Sequence, residues 1–125
     1  VSNFCRGLVA GEPIRIFGDG ADIRSWCYIT DLLAAMERII DNEATYGKSF
    51  NIGNPDAYCD INRLAEILIE ANDGGVIERV AREHDPVPLR LPNINLAREI
   101  FGFSPVVSVE DGMAKTLEWF KSVKP

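Results

Sequence analysis

The chain has 125 residues, enough for one domain that buries roughly two-thirds of its unfolded surface. Its 13 Lys and Arg against 19 Asp and Glu leave a net charge of −6, which opposes nucleic-acid binding, since that needs a basic footprint to displace counterions. No apolar run approaches the ~18 residues of a membrane span, and the widely spaced Cys5, Cys27 and Cys59 form neither a disulfide framework nor a Cys-x-x-Cys motif.

The first periodic segment is helical: Val1, Phe4, Cys5, Leu8 and Val9 share a face until Gly11 and Pro13 stop it. Ile14–Phe17 alternates as a strand, Gly18-Asp19-Gly20 signals a hairpin turn, and Trp26–Ile29 is rich in strand formers. Thr30 is placed to cap a helix with Asp31 in its first turn and Leu32, Leu33, Met36, Ile39 and Ile40 on its apolar face. Phe50–Gly53 reads as a short strand closed by Asn54-Pro55.

Asp60 caps a further helix with Ile61, Leu64, Ala65, Leu68 and Ala71 on its buried side, and Gly74-Gly75 leads into a strand at Val76–Val80. His84 to Pro92 is a proline-bracketed loop carrying Arg90. Asn93 caps a short helix that ends at Gly102, and Ser108-Val109-Glu110-Asp111 opens a last one as a capping box. The alternation defines an α/β class: a small mixed domain, residues 1–125, of short strands and about five helices.

Two arginines stand out. Arg24 follows the Gly-Asp-Gly turn and Arg90 lies between prolines, and a guanidinium held in a rigid context makes paired hydrogen bonds to phosphate or carboxylate. Two converging would suit a diphosphate, and Phe17 beside the first could stack on a nucleobase. The other familiar chemistries are missing from the sequence. Gly18-x-Gly20 lacks the third glycine of a dinucleotide fingerprint, since position 23 is Ile. The single histidine, His84, rules out a zinc site with several histidines, and no Gly-x-Ser-x-Gly elbow exists for a nucleophile.

Taken in order, Gly-Glu-Pro-Ile-Arg-Ile-Phe-Gly-Asp-Gly, Arg-Ser-Trp-Cys-Tyr-Ile-Thr-Asp-Leu, Phe-Asn-Ile-Gly-Asn-Pro, Asp-Pro-x-x-x-Arg-x-Pro and Ala-Arg-Glu-Ile-Phe-Gly-Phe-Ser-Pro resemble the C-terminal portion of the NAD-dependent epimerase/dehydratase family, the extended short-chain dehydrogenases/reductases. The closest flavour is the UDP-glucuronate decarboxylase group. The resemblance implies a substrate-binding portion without the N-terminal Rossmann half, in which Arg24 holds the diphosphate of a UDP- or dTDP-sugar and Phe17 lies near base or ribose. Arg90 would reach phosphate or, in decarboxylase-like members, a sugar carboxylate. Two departures stand out: Arg90-Leu91-Pro92-Asn93 replaces the common Arg-Arg-Pro-Asp, and Thr30 stands where Asp is common.

In that family NAD and a Tyr-x-x-x-Lys pair carry the chemistry. Here Tyr28, Tyr46 and Tyr58 are followed four residues on by Leu32, Phe50 and Asn62. No catalytic residue, cofactor or metal is therefore expected within this chain; NAD would belong to the rest of the full-length relatives. The opening inside a helical pattern, without Met, reads as part of a longer protein. The expected setting is cytoplasmic, with reduced thiols, and the expected partner is the missing N-terminal portion or, in a homodimer, a second copy.

Overall fold

Residues 1–83 and 87–123, which the computed structural model describes, contain five α-helices and five short strands. In chain order they are α1 (Ser2–Ala10), β1 (Ile14–Phe17), β2 (Ile23–Ser25), α2 (Ile29–Ile40), β3 (Tyr58–Asp60), α3 (Ile61–Ala71), β4 (Ile77–Val80), β5 (Leu89–Arg90), α4 (Asn95–Phe101) and α5 (Val109–Ser122). The loop expected at His84, Asp85 and Pro86 lies outside the described residues.

The main core forms where α1, α3 and α5 bring their apolar faces onto β1. Ile14 and Ile16 point inward from β1 and meet Cys5, Leu8, Leu64, Leu68, Met113 and Leu117, all buried. Four of the helix ends are those read from the chain, whereas Thr30 lies inside α2 and α4 starts behind Ile94, not Asn93. Asp60 accepts from the Arg63 amide at 2.7 Å, Ser108 accepts from the Asp111 amide at 3.1 Å, and Gly11 and Gly102 end α1 and α4 in the left-handed conformation. A smaller core joins Ala35 and Ile39 of α2 to Ala97 and Phe101 of α4, with Phe50 edge-on to Phe101 at 5.1 Å.

Several local expectations fail, each for a tertiary reason. Gly18–Gly20 is not a hairpin turn: β1 pairs in parallel with β4, while β2 lies between β3 (antiparallel) and β5 (parallel) in another sheet. Strand β2 ends at Ser25, before the aromatic run, and α2 already begins at Ile29 behind an uncapped Tyr28. Phe50–Gly53 forms no strand among the described residues, because Phe50 and Ile52 pack against the smaller core instead of a neighbouring strand. The apolar face read on α2, by contrast, is present and left open as expected of a face offered to a partner, with only Ile39 turned inward. Leu32, Leu33, Met36 and Ile40 stay exposed, Ile40 at 66 %.

Candidate functional site

Strand β2 carries the centre of the site. In parallel register Arg24 lies opposite Arg90 of β5, so the two side chains leave the same face of the sheet. The β5 pairing is short, but it is buttressed: Pro92 packs on Gly53, where a Cβ would sit only 2.7 Å from the proline Cγ. Alternation along the extended chain puts Asp22 on the same face as Arg24, with its Oδ2 3.6 Å from Arg24 Nη2. Arg24 Nη1 donates back to the Ile23 carbonyl at 2.7 Å, which fixes the guanidinium plane.

A third arginine completes the cluster. Parallel pairing of β1 with β4 sets Val80 beside Phe17, and two residues further on Arg82 reaches back across the strand end. Its Nη2 donates both to the Phe17 carbonyl, at 2.8 Å, and to Asp22 Oδ2, at 2.6 Å. The Asp22 carboxyl is held below its ordinary value, first by this hydrogen bond and then by the charges of Arg82, Arg24 and Arg90, against the opposing effect of desolvation. Three guanidinium groups thus act on one carboxylate that is only 8 % exposed.

Arg24 and Arg90 stand in register across β2 and β5, whereas Phe17 sits apart from them. Its ring is 55 % exposed and opens into a cavity of about 570 Å³ with Phe4, Arg6, Arg15 and Arg82, while Arg90 faces a shallower one with Ser25, Cys27 and Pro92. Arg82 connects the two through Asp22. The sequence reading missed both linking residues. Asp22 was legible two positions before Arg24 on one strand face; Arg82 had no local signal, since only the β1–β4 register delivers it.

The glycine turn does not fit a dinucleotide phosphate. The Gly20 carbonyl accepts from the Ile61 and Asn62 amides at 3.0 and 3.2 Å, and Asp60 takes the Arg63 amide, so the first turn of α3 has spent these donors. The space beside Gly20 is filled by Asn62 Oδ1 and Arg79 Nη1, with which a Cβ would collide. Its φ of 73° and close approach serve this packing.

With this geometry in place, the comparisons with known proteins are specific. The model of the NAD dependent epimerase/dehydratase family matches residues 1–53. UDP-glucuronic acid decarboxylase 2 of Arabidopsis thaliana is 31 % identical over 122 residues, covering 97 % of this chain and 27 % of its own length. UDP-glucuronic acid decarboxylase 1 of Xenopus tropicalis is 28 % identical over 121 residues, covering 97 % and 28 %. Among solved structures, UDP-glucose 4-epimerase of Thermotoga maritima, determined with UDP-glucose, superposes with a TM-score of 0.81 at 28 % identity, covering 98 % of this chain and 39 % of that one.

Sequence and fold agree along nearly the whole chain with these proteins, and its first 53 residues match the model of the NAD dependent epimerase/dehydratase family. It spans about 28 % of the length of the first curated relative it matches. What it shares with these proteins is a partial domain of short strands and five helices.

Proposed function

We propose that residues 1–125 form a single domain, the C-terminal nucleotide-sugar-binding portion of an NAD-dependent sugar-nucleotide epimerase, dehydratase or decarboxylase, not catalytic by itself. Arg24 and Arg90 hold the diphosphate of a UDP- or dTDP-sugar, and Phe17 lies along the base or ribose. The observation that carries this reading is the register of Arg24 with Arg90 across β2 and β5, since guanidinium groups on one sheet face suit a diphosphate. The decarboxylase relatives are named for a uridine diphosphate sugar acid, which supports a sugar carboxylate as the alternative ligand group for Arg90.

Calorimetric titration with UDP and UDP-glucuronate tests it. Saturable binding is expected, weakened roughly ten- to a hundredfold by Arg24→Met or Arg90→Met, because a hydrogen bond to a charged group contributes about 1.5–3 kcal/mol. Binding that ignores both substitutions would reject the assignment. No NADH should form from UDP-glucuronate and NAD, because the Gly-rich loop and the Tyr-x-x-x-Lys pair are missing from this sequence.

A second reading rests on the uncovered apolar side of α2. On that reading the chain is a self-assembling or partner-binding module that kept the scaffold, pairing as a homodimer or docking on an N-terminal portion through Leu33, Met36 and Ile40. Failure to bind UDP together with tight association would favour it. A cytoplasmic setting suits the three free thiols under either reading.

A further inference from the structure

The buried carboxylate at the centre of the arginine cluster is chemically odd for an anion site. A negative charge beside the place where a diphosphate would lie opposes the ligand by simple Coulomb repulsion. Yet Asp22 is almost wholly covered, and its Oδ2 receives Arg82 at 2.6 Å and lies 3.6 Å from Arg24. Three like charges, two from β2 and β5 and one from the segment after β4, would otherwise repel and spread when no ligand is present. Arg82 is further enclosed: it spans from β4 to the Phe17 carbonyl, and its Nε would lie 3.1 Å from a Cβ on Gly18.

On the reading that this site takes a diphosphate, we infer that Asp22 is a positioning residue for anion binding. It anchors Arg82 across the end of β1, adds that guanidinium to the Arg24–Arg90 pair, and keeps the three cations assembled while the site is empty. The cluster then carries three positive charges and one buried negative charge, a net excess that matches the two charges of a diphosphate ester. Arg82 also joins the Phe17 cavity to the arginine pair, so a ligand extending from an aromatic ring to a diphosphate would meet one continuous surface.

The test is UDP titration of the wild type, Asp22→Asn, Arg82→Lys and the double variant, alongside arginine Nε–Hε NMR spectra of the same proteins without ligand. Positioning predicts that Asp22→Asn weakens UDP by about three- to tenfold although it removes a negative charge, because a pre-formed charge-assisted contact is lost. Arg82→Lys should weaken it comparably, and the double variant should lose little more than either single one, as expected for one coupled unit. Without ligand, the Arg82 Nε–Hε signal should be sharp and exchange-protected in the wild type and averaged with the solvent-exposed arginines in Asp22→Asn.

Equal or tighter UDP binding by a folded Asp22→Asn, or fully additive losses, would overturn the inference. If the wild type binds no UDP, the nucleotide-sugar reading fails, and the spectra alone then decide whether Asp22 positions Arg82: an unchanged Arg82 signal overturns it. Should Asp22→Asn not fold, Asp22→Glu carries the same comparison, with a shifted but still protected Arg82 signal expected and an unaltered one counting against the role.

Discussion

Asp31 accepts the backbone amides of Val106 and Val107 on its two carboxylate oxygens, at 3.2 and 3.1 Å, and so ties the first turn of α2 to the segment that enters α5. The side chain is buried, and these contacts span more than seventy positions of sequence. Asp31→Ala should leave both amides without their partner. Val106 is exposed and Val107 half-buried, so water reaches part of this site and the expected cost is about 1–3 kcal/mol in all. Urea unfolding measures it, and a loss below about 0.5 kcal/mol, the usual range for surface substitutions, would show that water replaces the carboxylate without penalty.

The main core offers a plainer test. Leu68 and Leu117 are both at or below 1 % exposure, where α3 and α5 meet. Either one changed to Ala should cost about 2–5 kcal/mol through lost burial and a cavity. Leu33→Ala on the open side of α2 should cost far less, because no buried contact is removed. Equal losses at the three positions in thermal unfolding would mean that the α2 face is covered in solution.

That face makes its own prediction. Leu32, Leu33, Met36 and Ile40 stand together on α2, and apolar patches beyond a few hundred Å² are seldom left in water. Sedimentation at micromolar concentration should show association. Leu33→Glu combined with Ile40→Glu should return a monomer without lowering the melting temperature. A wild type that sediments as a monomer throughout would remove the assembly reading.

Acid stability should report Asp22. Its carboxyl is held low in the folded chain, first by the Arg82 hydrogen bond and then by the charges around it, whereas the unfolded chain titrates near 3.9. The unfolded state therefore binds more protons in this range. The stabilisation is present above about pH 4 and is lost as pH falls through the folded value. Asp22→Asn should flatten that part of the stability profile, and identical slopes for variant and wild type between pH 5 and 2 would dismiss the coupling.

Thiol chemistry gives a last check. Burial pushes Cys5, Cys27 and Cys59 above the ordinary cysteine value, with Asp31 raising Cys27 further. The thiolate is the reactive form, so alkylation by iodoacetamide at pH 7 should be slow at all three, and fastest at Cys27, the exposed one. Rapid labelling of Cys5 in the folded protein would show that the α1 contact opens readily.

Short-range chemistry was already written in the chain. Asp60, Ser108, Gly11 and Gly102 punctuate helices because each satisfies orphan backbone groups or accepts a left-handed turn locally, without help from distant residues. The helical period of Leu64, Ala65 and Leu68 likewise marked a face that is buried. The arginines were visible as types in rigid contexts, and the ordered motifs pointed to the family.

Strand pairing was not legible, because two- to four-residue strands carry too little pattern to declare their partners. The three residues of β2 become a strand through β3 and β5, and the two of β5 through β2 and through Pro92 resting on Gly53. That pairing alone puts Arg90 opposite Arg24. The parallel register of β1 with β4 delivers Arg82 to Asp22 over sixty positions of sequence. Which charges meet was therefore decided by tertiary structure: electrostatic contact depends on distance in space, and non-local backbone pairing sets that distance.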